Sequence, residues 1–341
     1  MTAMRAMVVA AHGGPEVFER RAVDGPAAPG PGEVRVRVTG SSVNPADVGA
    51  RRGVFPGPLP AILGYDVAGV VDAVGPGVTE FVPGDAVYYP IPAAHGQPGQ
   101  SPAPPDLSRG GGYAEYHVAP APLLARRPAN LTDAEAGTVP VAGGTAWAAL
   151  VTRARVSPGE TVLVHGGAGG VGSFAVQIAR AAGAARIIAT CSPGDIERVR
   201  SLGADAALDY HAADLPAAVR KAAGGNGAGV DVCLTTVGGP ALAQSLPLLN
   251  QNGRAVTVTG PLVGLEAAQF EAASRNLTLH FVHLDDPRPK LEALGALIAA
   301  GRVRPLVGRT LPVTEVAEAH RLQEGRGAGV FGKIALEGFP A

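Results

Sequence analysis

Over residues 1–128 the chain alternates apolar and polar positions in short stretches, as in Glu33-Val34-Arg35-Val36-Arg37-Val38 and again over 67–74, and Pro and Gly punctuate the gaps. Period-two alternation buries one face of a strand, so this zone predicts a mostly antiparallel β domain. The stretch 90–109 is Pro- and Gly-rich without periodicity and predicts a loop. From 129 to 302 the period changes. Apolar runs at 161–165, 186–190, 206–208, 230–235, 254–259 and 277–284 are separated by segments with helical spacing. Six strands in series with helices between them predict a doubly wound parallel sheet built from two mononucleotide-binding halves. The tail, 303–341, returns to β-like segments such as Gly332-Lys333-Ile334-Ala335-Leu336 and is expected to pack on the first domain. The predicted fold class is α/β, with 1–128 and 303–341 forming a β domain and 129–302 a dinucleotide-binding domain.

Length and composition fit this division. The 341 residues are enough for two cores, and 46% hydrophobic with 17% charged residues reads as globular. Lys and Arg total 28 against 29 Asp and Glu, with no basic run, so neither nucleic acid nor an anionic membrane is an expected partner. Cys191 and Cys233 are the only cysteines, too few for a disulfide framework or a thiolate zinc cluster. No signal-peptide pattern opens the chain and no apolar run approaches the length of a membrane span, so a cytoplasmic protein is expected.

The strongest chemical signal follows the run Thr161-Val162-Leu163-Val164-His165. There Gly166, Gly167, Ala168, Gly169, Gly170, Val171 and Gly172 form a Gly-rich turn that leads at once into helical spacing. Such a turn aims unpaired backbone N–H groups and the positive end of a helix dipole at a pyrophosphate. Gly167, Gly169 and Gly172 satisfy G-x-G-x-x-G in its required strand–turn–helix context, which predicts dinucleotide binding. The end of the second strand, Thr190-Cys191-Ser192, carries no carboxylate to accept from a ribose 2′-OH. Ser192 can donate to a 2′-phosphate, so NADP(H) is favoured, although Asp195 lies close and leaves NAD(H) open; alternatively Ser192 only caps the next helix. Val237 and Gly238, Gly260, and Phe281, Val282 and His283 follow the fourth, fifth and sixth strands, where open α/β sheets bind ligands, and their backbone groups are expected near ribose and carboxamide.

The order of motifs resembles the medium-chain dehydrogenase/reductase superfamily and, within it, the zinc-independent, zeta-crystallin-like quinone oxidoreductases. Val43-Asn44-Pro45-Ala46-Asp47, Gly64-Tyr65-Asp66-Val67-Ala68-Gly69, Val82-Pro83-Gly84-Asp85, Gly111-Gly112-Tyr113-Ala114-Glu115, Gly144-Thr145-Ala146-Trp147, Leu202-Gly203-Ala204-Asp205 and Gly332-Lys333-Ile334 carry the resemblance over nearly the whole chain. It implies a GroES-like catalytic domain joined to a Rossmann domain, with the active site in the cleft and dimerisation through the sixth Rossmann strand, 277–284. The metal-dependent branch places a Cys and a His, both zinc ligands, where this chain has Asn44 and Tyr65, so no metal is expected. By the same resemblance Asn44 would donate its amide to a substrate oxygen or cofactor ribose, unless Asn-Pro merely starts a turn. Tyr65 would offer its phenol to the acceptor or simply fill the vacated metal pocket. Thr145 would face the nicotinamide or act as an N-cap, and Tyr210 would lie near the adenosine phosphate or close a strand. Phe55 stands where relatives often carry a Tyr, which removes a phenol from the substrate pocket. Asp195 stands where relatives often carry a Lys, which weakens the preference for a 2′-phosphate.

Without a metal, hydrogen bonds alone polarise a carbonyl, so the acceptor must already be electrophilic. A quinone or an α,β-unsaturated carbonyl fits, with hydride supplied by NADPH. Two other readings stay open. One is an enoyl-thioester reductase with a basic rim at Arg51, Arg52 and Arg109; the other is an NADPH-binding protein with little activity.

Overall fold

The computed structural model describes residues 3–54, 57–91, 110–225, 228–259, 272–282, 284–325 and 330–340. The chain packs as two compact units, one of residues 1–144, 284–299 and 305–341, the other of 145–283 and 300–304. The division falls after residue 144 instead of 128. Segment 129–144 is held to the first unit by contacts such as the Val141 N–H donated to the Asp66 carboxylate at 2.7 Å.

The first unit is built around the strand Glu33–Ser42, which pairs antiparallel with Asp66–Val74, Tyr116–Pro120 and the C-terminal strand Lys333–Glu337. Its alternation works as the sequence predicts: Val34, Val36 and Val38 are buried and join Val67, Val71, Val87 and Leu336 in one core. Each such side chain contributes about 1.5–3 kcal/mol by leaving water. A second, three-stranded sheet is centred on Ala3–Val9, flanked by Phe18–Asp24 and Ala61–Ile62. Between the strands Glu33–Ser42 and Asp66–Val74 lies the helix Pro45–Arg52. Asn44 is its N-cap, with extended backbone, and Pro45 follows where a missing N–H costs nothing. Gly53, at φ 77°, ends it.

The second unit is the expected doubly wound sheet. Its strands Thr161–His165, Arg186–Cys191, Ala206–Asp209, Val230–Thr235, Leu249–Thr257 and Thr278–Phe281 are all parallel and lie in the order third, second, first, fourth, fifth, sixth. The fifth strand starts at Leu249, five residues before the sequence pattern suggests. Its register jumps between the pairs Val230–Leu249 and Val232–Arg254, with Asn252 at φ 62°. That bulge gives Asn250-Gln251-Asn252-Gly253 the look of a plain turn. The sixth strand is shorter than 277–284, ending at Phe281. Among the described residues no helix is long and apolar enough to cross a membrane.

Candidate functional site

In the second unit the carboxyl ends of the strands converge on the Gly-rich turn. The helix Gly170–Ala181 opens directly at N-cap Gly169, so its first-turn N–H groups have no partner within the helix. Gly166 sits at φ 79°, a conformation open to glycine, and a Cβ on Gly172 would sit on the Gly166 carbonyl oxygen. Gly169 differs: the nearest described atom to a Cβ there is the Gly166 carbonyl oxygen at 3.4 Å, an ordinary contact distance, so packing among the described residues does not require glycine. A glycine kept where a side chain would fit marks the approach of something else, and the turn fits a dinucleotide pyrophosphate.

The neighbouring strand ends tie into this turn. Gly167 N–H donates to the Thr190 carbonyl at 2.8 Å, and Thr190 Oγ1 accepts from Gly166 N–H at 3.3 Å. Ser192 precedes the short helix Pro193–Asp195, but its hydroxyl makes no capping bond, so it does not serve as the cap considered above. Asp195 pairs with Arg198 at 3.4 Å. Tyr210 lies beside Ser192 because its N–H donates to the Cys191 carbonyl at 3.2 Å; its ring is 49% exposed. Val237 is exposed and Gly238 has φ 107°, while Val282 is buried and donates its N–H to Thr257 at 3.0 Å. Phe281 ends the sixth strand. Gly260, His283 and Phe55 lie outside the described residues, as does most of the expected loop.

Sequence reasoning missed His165, the last residue of the first strand. Its Nδ1 meets Thr190 Oγ1 at 3.1 Å and its Nε2 meets Ser245 Oγ at 2.7 Å, and Thr236 donates its hydroxyl to the His165 carbonyl at 2.8 Å. Burial pushes the imidazole down to about 4, so it is neutral near pH 7. The ring thus braces the turn from below. A polar residue ending an otherwise apolar strand was the available signal.

In the first unit a polar cluster is buried under the motifs at 43–47, 64–69 and 332–334. Asp47 accepts from the backbone N–H groups of Asn44, Gly64 and Tyr65 at 2.9, 3.1 and 3.2 Å. Asp66 accepts from Ser42, from Val141 N–H and from Asn44 Nδ2, the last at 2.8 Å. Lys333 Nζ donates to the Val43 carbonyl and to Asn44 Oδ1 and stands 3.6 Å from Asp66. Burial raises Asp47 to about 7, helped by the charge of Asp66 and opposed chiefly by the Asn44 N–H. Burial also lowers Lys333, with both aspartates opposing.

The cluster revises one expectation and leaves another open. Asn44 Nδ2 already donates to both Asp66 and Asp47, the latter at 3.2 Å, so neither of its hydrogens is left for a substrate. Tyr65 is 2% exposed within the apolar core, its hydroxyl has no partner among the described residues, and burial raises its pKa. Thr145 lies inside the helix Pro140–Trp147, which excludes an N-cap role. Arg51 is fully buried against Glu324 and takes no part in an exposed rim; Arg52 also pairs with Glu324, at 2.7 Å, and Arg109 is outside the described residues.

Residues 30–129 match the alcohol dehydrogenase GroES-like domain and 202–336 the zinc-binding dehydrogenase family. The chain is 31% identical to a quinone oxidoreductase of Lama guanicoe, over 98% of this chain and 97% of that protein. It is 32% identical to a chloroplastic NADPH-dependent alkenal/one oxidoreductase of Arabidopsis thaliana, over 90% and 72%. A 37% identity to the phthioceranic/hydroxyphthioceranic acid synthase of Mycobacterium tuberculosis covers 90% of the chain, which spans only 14% of that protein's length. Among solved structures, an NAD-dependent alcohol dehydrogenase superposes with a TM-score of 0.87 at 37% identity, covering 98% of this chain and 99% of that one. The donors around Asn44 and Tyr65 do not fit the zinc ion that one family description implies. An amide and an unionised phenol stand there, both aspartates are saturated by N–H and O–H donors, and the Lys333 ammonium occupies the position beside Asp66.

Proposed function

Because the chain belongs to the medium-chain dehydrogenase/reductase superfamily, we propose that it reduces a quinone or an α,β-unsaturated carbonyl with NADPH, without a metal ion. The observation that carries this reading is the Gly-rich turn that opens a helix at Gly169, where packing among the described residues does not require the glycine. The committed amide of Asn44 and the unionised phenol of Tyr65 are no metal ligands, which supports a metal-free reaction. The bound dinucleotide supplies a hydride from C4 of its nicotinamide; two electrons and one proton pass to the acceptor, and solvent or a donor side chain provides the second proton.

The roles of the chain's residues follow. Gly166 to Gly172 hold the pyrophosphate on backbone N–H groups, with Thr190 and His165 fixing the turn. Ser192 and Tyr210 flank the adenosine ribose, and the uncapped Ser192 hydroxyl donates to a 2′-phosphate while Arg198 engages Asp195. Val237 and Gly238 after the fourth strand, and Phe281 and Val282 at the end of the sixth, would meet ribose and carboxamide, and Thr145 would face the nicotinamide. Tyr65 has an uncommitted phenolic donor in a dry environment, where a hydrogen bond to an acceptor oxygen is strongest. Asn44 is a positioning residue, joining Asp47, Asp66 and Lys333. Thr278–Phe281, at one edge of the sheet, is the strand through which two copies would pair.

A second reading, reduction of an enoyl thioester, is favoured by the identity to the acid synthase, since building a saturated acyl chain needs that step. Both are tested by following NADPH and NADH oxidation with an ortho-quinone, an enone and an enoyl thioester, using chelator-treated protein. Turnover of the quinone or enone that survives chelation and prefers NADPH is expected. Turnover of the thioester alone would replace the first reading with the second; loss of activity on chelation would overturn both.

A further inference from the structure

His165 is the middle member of a chain of side chains that crosses three elements of the second unit. Its ring lies between Thr190, in the strand Arg186–Cys191, and Ser245, the last residue of the helix Gly239–Ser245 that follows the fourth strand. All three residues are buried, Ser245 to 1% exposure, so each of their hydrogens needs a partner inside the protein.

That requirement gives the chain a direction. A neutral imidazole carries one N–H, so one nitrogen donates, the other accepts, and the neighbours decide which. On one side the Ser245 hydroxyl donates to the Ala241 carbonyl at 2.6 Å, so it offers a lone pair to His165 Nε2 at 2.7 Å. The Cys233 thiol also reaches that hydroxyl, but burial keeps it protonated and sulfur is a weak acceptor, so the hydrogen stays with Ala241. On the other side Thr190 Oγ1 accepts from Gly166 N–H at 3.3 Å, and its own hydrogen finds an acceptor in His165 Nδ1 at 3.1 Å. Both sides place the imidazole hydrogen on Nε2. The bonds then run one way, from Gly166 N–H to Thr190, His165, Ser245 and the Ala241 carbonyl.

Gly166 is where this chain meets the Gly-rich turn. It sits at φ 79°, and its carbonyl accepts at 3.0 Å from the N–H of Gly169, the N-cap of the helix Gly170–Ala181. We propose that Ser245 is a positioning residue for the dinucleotide, holding the turn in its binding geometry by fixing His165 as the Nε2–H tautomer. The inference rests on the turn being the pyrophosphate site. Without the Ser245 hydroxyl the imidazole hydrogen is better placed on Nδ1, facing Thr190. The Thr190 oxygen then faces two donors, its own hydrogen loses its acceptor, and its hold on Gly166 weakens.

The test combines proton–nitrogen correlation spectra of the full chain carrying isotope-labelled histidine with calorimetric titration by NADPH. In the parent a protonated Nε2 and a bare Nδ1 are expected for His165, whose signals are assigned by their loss in His165→Gln. Ser245→Ala should move the hydrogen to Nδ1 and raise the Kd for NADPH about tenfold. Thr190→Val leaves the Ser245 contact in place, so it should keep the Nε2–H tautomer and raise the Kd similarly. The double variant should bind no worse than either single one, whereas residues that only pack independently would add their losses. A hydrogen on Nδ1 in the parent, an unchanged Kd in Ser245→Ala, or additive losses would overturn the inference. An unchanged Kd in Thr190→Val would overturn it as well, even if Ser245→Ala does not fold. A parent that binds no NADPH would remove the pyrophosphate reading and this inference together. A parent that binds, with variants that bind equally, would leave that reading standing and remove this inference alone.

Discussion

Asn44 and Tyr65, the two positions where a metal ligand is replaced, are both buried, and burial treats them differently. The amide of Asn44 is satisfied on both sides, by two carboxylates and by the Lys333 ammonium, so it has become part of the scaffold. The Tyr65 hydroxyl is satisfied by nothing among the described residues. A buried hydroxyl without a partner costs about 1–3 kcal/mol, which makes Tyr65→Phe informative in both directions. If the phenol serves the acceptor, the variant will lose about tenfold to a hundredfold in kcat with little change in the KM for NADPH. If the ring only fills space, kcat will hold and the thermal midpoint will rise by a few degrees. The sequence made the missing ligands legible because they fall inside short motifs. It hid the partners that now hold Asn44, since Lys333 is 289 positions away and no local pattern links the two. His165 was hidden for another reason: periodicity marks it as one more strand residue, and only its contacts with Thr190 and Ser245 show what it supports.

At the scale of elements, the strand–turn–helix unit was the most legible part of the chain, because period, turn chemistry and helix opening agree there. The six parallel strands followed from the same pattern, and their order in the sheet came from the structure. What escaped were the places where the backbone departs from a regular ladder, such as the bulge at Asn250 to Gly253 that hides the start of the fifth strand. Within the turn, two glycines separate folding from binding. Gly172→Ala drives a Cβ into the Gly166 carbonyl, so it should lower the thermal midpoint and abolish dinucleotide binding together. Gly169→Ala meets nothing nearer than 3.4 Å, and its extended backbone suits alanine. It should fold with a midpoint near that of the parent and still bind NADPH at least tenfold more weakly, as read by quenching or calorimetry. Unchanged affinity in Gly169→Ala would show that the space at Gly169 is not where the pyrophosphate lies.

Across the whole molecule, buried titrating groups set how stability depends on pH, and they do not all act in one direction. His165 and His320 are held neutral, at about 4 and about 3, each mainly by burial, with Arg51 adding to the effect on His320. Below the ordinary histidine value of 6.5 the unfolded chain takes up protons that these folded sites refuse, so both contributions are complete above pH 6.5 and decline as pH falls. Asp47 opposes them. Raised to about 7, it holds a proton in the folded chain that the unfolded chain releases above its ordinary value of 3.8, so its contribution grows as pH falls from 7 toward 3.8. Two histidines against one carboxyl leave a net loss of stability on acidification below pH 6.5. His320 offers the test because its Nδ1 has no partner among the described residues, its Nε2 has only a 3.4 Å contact with a Tyr113 hydroxyl that also reaches the Ser42 carbonyl, and its ring packs against Phe18 at 4.8 Å, so phenylalanine can replace it in shape. Between pH 6.5 and pH 5 one such histidine accounts for about 2 kcal/mol. Thermal midpoints of the parent should therefore fall more steeply over that interval than those of His320→Phe, by roughly 4–8 °C. Parallel curves for the two proteins would mean that His320 takes up its proton while still folded, and that the acid limb belongs to other groups, His165 among them.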